Sequence, residues 1–193
     1  MGKLTVLCGD IVSNEILKLG EAIVLPTNPM MRCGAGVSGA IFKKAGVDAL
    51  EKYCEKTFGI SYYNAPGVNE MKVTDVRITP GLSLPCRIIF AQGPKKWEYE
   101  DKSAVRLLIK TYQNVLEASV AQGFRSVLIP ALGTGEYGFT HLETSSPVME
   151  LLSEFVETHD LDIYFVVYDE EAKAIYDVSL ICIQQAKMLD LLK

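Results

Sequence analysis

Two short stretches carry the same spacing of glycines: Gly34-Ala35-Gly36-Val37-Ser38-Gly39 and Gly133-Thr134-Gly135-Glu136-Tyr137-Gly138. Glycine tolerates positive φ and lets the backbone come close to a ligand. Successive N–H groups in such a turn form a nest for an anion, and a following helix N-terminus adds to it. Two such loops in one small chain point to one diphosphate held from two sides. Two ordinary tight turns are the alternative for either loop taken alone.

The spacing is also that of a dinucleotide fingerprint, but its surroundings differ. In that fingerprint the first glycine closes the strand itself. Here the strand ends near Pro26 or Thr27, and the run 28–33 intervenes before Gly34. Pro29 fixes φ and removes a donor, which marks that run as loop. The acidic residue expected about 20 positions on, at the end of a second strand, is missing; Glu51 and Glu55 fall in a helical pattern instead.

Further chemistry-bearing residues stand at other strand ends. Asp10 follows the first apolar run, where it would cap a helix starting near Ser13 or accept a hydrogen bond from an adenine amino group. Asn28 follows the second, where it would close its own turn. Tyr168 ends the last. His141 reads as a solvent-facing loop residue, Cys33 as a small buried thiol, and Trp97 and Tyr99 as cover for a sheet edge.

The elements that must position these groups are legible as alternating apolar runs. Strands are expected at 4–8, 22–26, 73–79, 88–91, 126–131 and 162–168. Several are continuously apolar, as suits strands covered on both faces. Val105, Leu108, Ile109, Tyr112, Val115, Leu116 and Val120 follow a helical period, with Gly123 as the stop. Val148, Leu151, Leu152, Phe155 and Val156 repeat it. Shorter helices are expected at 38–44 and 48–58, and a long one over 170–193. The span 59–71, with Tyr62, Tyr63 and Pro66, reads as a long loop, and 95–102 as a polar connection. The alternation predicts an α/β fold of three layers, α/β/α, with a mixed central sheet of about six strands and helices on both faces.

The chain of 193 residues suits a single domain, 1–193, with helix 170–193 packed on it or on a partner, a second copy included. Apolar residues make up 49% and charged residues 22%, an ordinary globular balance that argues against disorder. The net charge of −5 argues against a nucleic-acid partner. No run approaches the ~18 apolar residues of a membrane span, and no signal-peptide pattern opens the chain. Five scattered cysteines without a C-x-x-C pair, and only two histidines, argue against a metal site and fit a cytoplasmic protein with free thiols. No cofactor is expected.

Gly9-Asp10-Ile11, Ile23-Val24-Leu25-Pro26-Thr27-Asn28, the GAGVSG loop with Ala40-Ile41, and Ile129-Pro130-Ala131-Leu132 followed by GTGEYG and Phe139 together resemble the macrodomain family. The order holds from Leu4 to about Tyr168. The resemblance implies ADP-ribose, free or attached to a protein, as the ligand. It implies either hydrolysis of mono-ADP-ribose from ester-linked acceptors or of O-acetyl-ADP-ribose, or a non-catalytic reader module. By the same resemblance Asp10 and Ile11 bind adenine. Gly34, Ala35, Gly36 and Val37 line the diphosphate and distal ribose. Gly133, Thr134, Gly135, Glu136 and Tyr137 form the second phosphate loop, Tyr168 stacks on adenine, and Asn28 orients the distal ribose for catalysis. Three departures stand out: the family's first asparagine is Leu25, Ser38 replaces the aspartate of one hydrolytic group, and Glu136 brings a carboxylate beside the phosphates.

Overall fold

The computed structural model describes residues 1–61, 63 and 67–191. Residues 62, 64–66, 192 and 193, including part of the expected loop and the end of the expected last helix, lie outside them.

Six strands form one sheet: β1 (Leu4–Cys8), β2 (Ala22–Pro26), β3 (Val76–Thr79), β4 (Arg87–Ala91), β5 (Ser126–Pro130) and β6 (Asp162–Val167). Their spatial order is β1-β6-β5-β2-β4-β3. All neighbours are parallel except β3 and β4, so the sheet is mixed. The helices are α1 (Asn14–Leu17), α2 (Gly36–Ala45), α3 (Val47–Phe58), α4 (Asp101–Ala121), α5 (His141–Thr158) and α6 (Glu170–Leu191).

Alternation along each strand sorts the core into two layers. Ile23, Leu25, Ile88, Phe90 and Leu128 face α1–α3, whereas Ala22, Val24, Ile89, Val127, Ile129 and Phe165 face α4–α6. Because both faces are covered, the central strands show no polar side. Each fully buried Leu or Ile here contributes about 1.5–3 kcal/mol relative to exposure. α6 packs on α5 and β1, and Val178, Ile181, Met188 and Leu189 on its outer side are exposed. No helix among the described residues is long and apolar enough to cross a membrane.

Strand β3 begins at Val76 rather than at residue 73. A turn closed by the Lys72 N–H donating to the Asp75 carboxylate at 2.8 Å precedes it, with Thr74 at positive φ. The polar connection also carries more structure than expected. Lys96–Glu98 form a 3-10 turn, and α4 starts at Asp101.

Candidate functional site

In a parallel sheet the loops after the strands gather at one edge. Here those after β1, β2, β5 and β6 enclose a cleft of two adjoining cavities, about 330 Å³ and about 540 Å³. Gly36, Val37, Ala131 and Thr134 line both, and so form the joint between them.

The smaller lobe starts from the end of β2. Asn28 lines it and also closes its own turn: its side-chain oxygen accepts from the Arg32 N–H at 3.1 Å and its amide donates to the Arg32 carbonyl at 2.9 Å. An asparagine amide has a second N–H and a second lone pair, so one donor and one acceptor stay available on a side chain already held. The turn is braced from below. Buried Arg32 pairs with Glu51 at 3.2 Å and with Glu55, and the Cys33 N–H donates to Glu51 at 2.9 Å.

The chain then rises through Gly34 and Ala35 into α2. Ala35 is the N-cap and offers no side-chain acceptor, so the first N–H groups of α2 are left for something else. Gly39 is fixed by packing: a Cβ there would lie 2.4 Å from the Gly34 carbonyl oxygen. The Ser38 hydroxyl lines the same lobe, is buried, and has no hydrogen-bond partner among the described residues.

The second loop closes the lobe from the other side. Gly133, at φ +78°, turns the chain under Phe139. Tyr112 of α4 fixes the loop's base, its hydroxyl accepting from the Leu132 N–H at 2.7 Å. Tyr137 spans the lobe, donating from its hydroxyl to the Thr27 carbonyl at 3.0 Å. The Lys96 N–H donates to the Tyr137 carbonyl at 2.9 Å. Lys95 pairs with Glu98, and Lys96 with Glu143. Glu136 lines this lobe and is exposed at its rim.

The larger lobe lies between the ends of β1 and β6. Asp10 is exposed at its edge and accepts from the Val12 N–H at 3.1 Å. Asp10 does not cap α1; Ser13 does, accepting from the Ile16 N–H. Ile11 is buried in the wall, and Tyr168 stands 83% exposed at the mouth, free of packing and open to a flat ligand group.

Residues 24–147 match the family model described as Macro domain. The chain belongs to the macrodomain family. It is 32% identical over 182 residues to the O-acetyl-ADP-ribose deacetylase of Enterobacter sp. (strain 638), covering 93% of this chain and 94% of that protein. The O-acetyl-ADP-ribose deacetylase of Escherichia fergusonii is 33% identical, with 91% and 93% covered. Among solved structures, the Oceanobacillus iheyensis macrodomain with ADP superposes with a TM-score of 0.82 at 28% identity, covering 95% of this chain and 92% of that one. The Trypanosoma brucei macrodomain in complex with ADP-ribose shares the fold, with a TM-score of 0.70 at 23% identity over 91% and 68% of the two chains.

In this macrodomain, every residue that the resemblance assigned to the ligand lines the cleft. Asn28, Gly34, Ala35, Gly133, Gly135, Glu136 and Tyr137 line the smaller lobe, and Asp10, Ile11 and Tyr168 the larger. Gly36, Val37 and Thr134 line both. Three expectations outside that set need correction. His141 is not a solvent-facing loop residue: it opens α5, is half-buried, and lines the larger lobe. Cys33 is half-buried rather than buried. Trp97 is 64% exposed, its ring lying against Gly138 of the second loop. Sequence reasoning missed Gly93, which lines the smaller lobe just past β4, and Asp169 in the larger. The rule that loops after parallel strands gather at one edge would have found Gly93.

Proposed function

We propose that this macrodomain binds ADP-ribose across both lobes and hydrolyses esters of it, either O-acetyl-ADP-ribose or mono-ADP-ribose on carboxylate acceptors. The observation that carries the reading is the joint. An uncapped helix N-terminus and the Thr134 loop meet there between two cavities, as a diphosphate between two sugar-bearing groups requires. The adenosine half then occupies the larger lobe and the distal ribose the smaller. The deacetylase names of the relatives support the ester as the bond cleaved.

In either substrate, water attacks the ester carbon and the products are a carboxylic acid and ADP-ribose. Asn28 is the residue assigned to hold the distal ribose. It is preset by its two bonds to Arg32, which lowers the cost of ordering it. The unpartnered Ser38 hydroxyl adds a polar contact for a ribose hydroxyl or the attacking water. A non-catalytic reader is the second reading. It is favoured by one observation: among the described residues lining the smaller lobe, Glu136 is the only carboxylate, and it faces solvent. The reading also takes residues 1–193 as one domain working in the cytoplasm, in keeping with five free thiols.

The test follows acetate released from O-acetyl-ADP-ribose and ADP-ribose released from a glutamate-linked protein, with ADP-ribose binding titrated in parallel. Turnover by the wild type that falls about a hundredfold in Asn28→Ala establishes the hydrolase. Binding without turnover leaves the reader.

A further inference from the structure

The larger lobe holds five polar side chains: Asp10, Thr134, His141, Tyr168 and Asp169. Four have work already. Asp10 and Tyr168 stand at the end assigned to the base, and Thr134 at the diphosphate joint. Asp169 caps α6, accepting from the Ala172 N–H at 2.8 Å. His141 remains. Its Nδ1 lies 3.2 Å from the Tyr176 hydroxyl, and its Nε2 has no hydrogen-bond partner among the described residues.

Counting protons on this cluster favours one tautomer. Thr144 spends its hydroxyl proton on the Thr140 carbonyl at 2.9 Å. Fully buried Tyr176 therefore donates, and His141 Nδ1 at 3.2 Å is nearer than Thr144 Oγ1 at 3.4 Å. Burial pushes the Tyr176 phenol up to about 12, so it keeps its proton at neutral pH. An imidazole that accepts at Nδ1 carries its proton on Nε2, and the edge-on contact with Tyr176, centroids 5.6 Å apart, holds the ring in that pose.

We propose that His141 is a ligand-binding residue whose Nε2–H reads a ribose hydroxyl of the adenosine half, and that Tyr176 positions it. The assignment rests on the ADP-ribose reading above: once base and diphosphate have their partners, the sugar between them is the part left for His141.

Calorimetric titration with ADP, ADP-ribose and 2′,3′-dideoxy-ADP tests it. His141→Ala weakens ADP and ADP-ribose alike, by about fivefold. It leaves dideoxy-ADP unchanged, because the removed donor then has nothing to meet. Tyr176→Phe keeps the ring and releases the tautomer, so ADP weakens by about twofold. A loss confined to ADP-ribose, an equal loss with dideoxy-ADP, or no loss overturns the proposal. Should His141→Ala not fold, the wild type decides: ADP and dideoxy-ADP bound equally tightly also overturns it. A wild type that binds neither ADP nor ADP-ribose removes the ADP-ribose reading itself, whereas binding that is blind to His141 removes only this inference.

Discussion

The two glycine loops share a spacing but not a design. The first runs into α2, whose N-cap Ala35 makes no side-chain bond. The second leads to α5, whose N-terminus carries a capping box: Thr140 accepts from the Glu143 N–H, and Glu143 accepts from the Thr140 N–H. One helix starts over the cleft with no side-chain cap; the other caps itself with its own side chains. The first loop thus runs into a helix terminus without a side-chain cap, and the second into one that carries its own. An identical pattern of glycines therefore says that backbone approaches something closely, and the N-cap residue says whether a helix dipole comes with it.

That contrast can be broken from either side. The largest effect is expected from Ala35→Asp, which supplies α2 with the acceptor it lacks and places a negative charge next to the joint. ADP-ribose affinity should fall by about tenfold or more, while thermal stability holds or rises; an affinity left intact would mean that the α2 terminus does not hold the diphosphate. Thr140→Ala is the mirror experiment. Losing the cap should cost about 1 kcal/mol of stability in chemical denaturation, with ADP-ribose affinity unchanged. A parallel loss of affinity would show that the two helix termini are used alike.

The smallest effect concerns pH. Partial burial pushes the Glu143 carboxyl up, but the Lys96 ammonium and the Thr140 N–H outweigh this and hold it below the ordinary carboxylate range. A depressed carboxyl contributes stability above its unfolded value and loses that contribution as pH falls through the folded one. The wild type should therefore lose its advantage over Glu143→Gln as pH falls through that window. Melting curves of both proteins compare them; parallel curves would show that Glu143 caps α5 without being shifted.

Much of the fold is legible because the strands are short, apolar and buried on both faces. The bounds 4–8 and 22–26 agree with β1 and β2 to the residue. The misreadings have local causes. Pro147 lies inside α5, so the apolar period is clear only after it, and His141 at the helix start passes for loop. The polar residues 96–98 form a 3-10 turn through backbone bonds and ion pairs that leave no apolar period to read. The glycines, Asp10 and Asn28 could be placed at one edge by strand logic alone. The braces behind them could not: Arg32 with Glu51 and Glu55, and Tyr112 under Leu132, are pairings between distant elements, written in no local pattern.

The position of β1 has a consequence for how the molecule is made. It lies at the sheet edge, and among the described residues its sole strand partner is β6. During synthesis β1 must therefore wait for β6, because Leu4 pairs with Ile163. Strands β2, β4 and β5, which carry the smaller lobe, can pair before β6 is synthesised, whereas the wall between Asp10 and Tyr168 closes only once β6 has paired with β1. Long-range pairing of this kind slows folding. During synthesis the smaller lobe of the cleft can therefore take shape before the larger one.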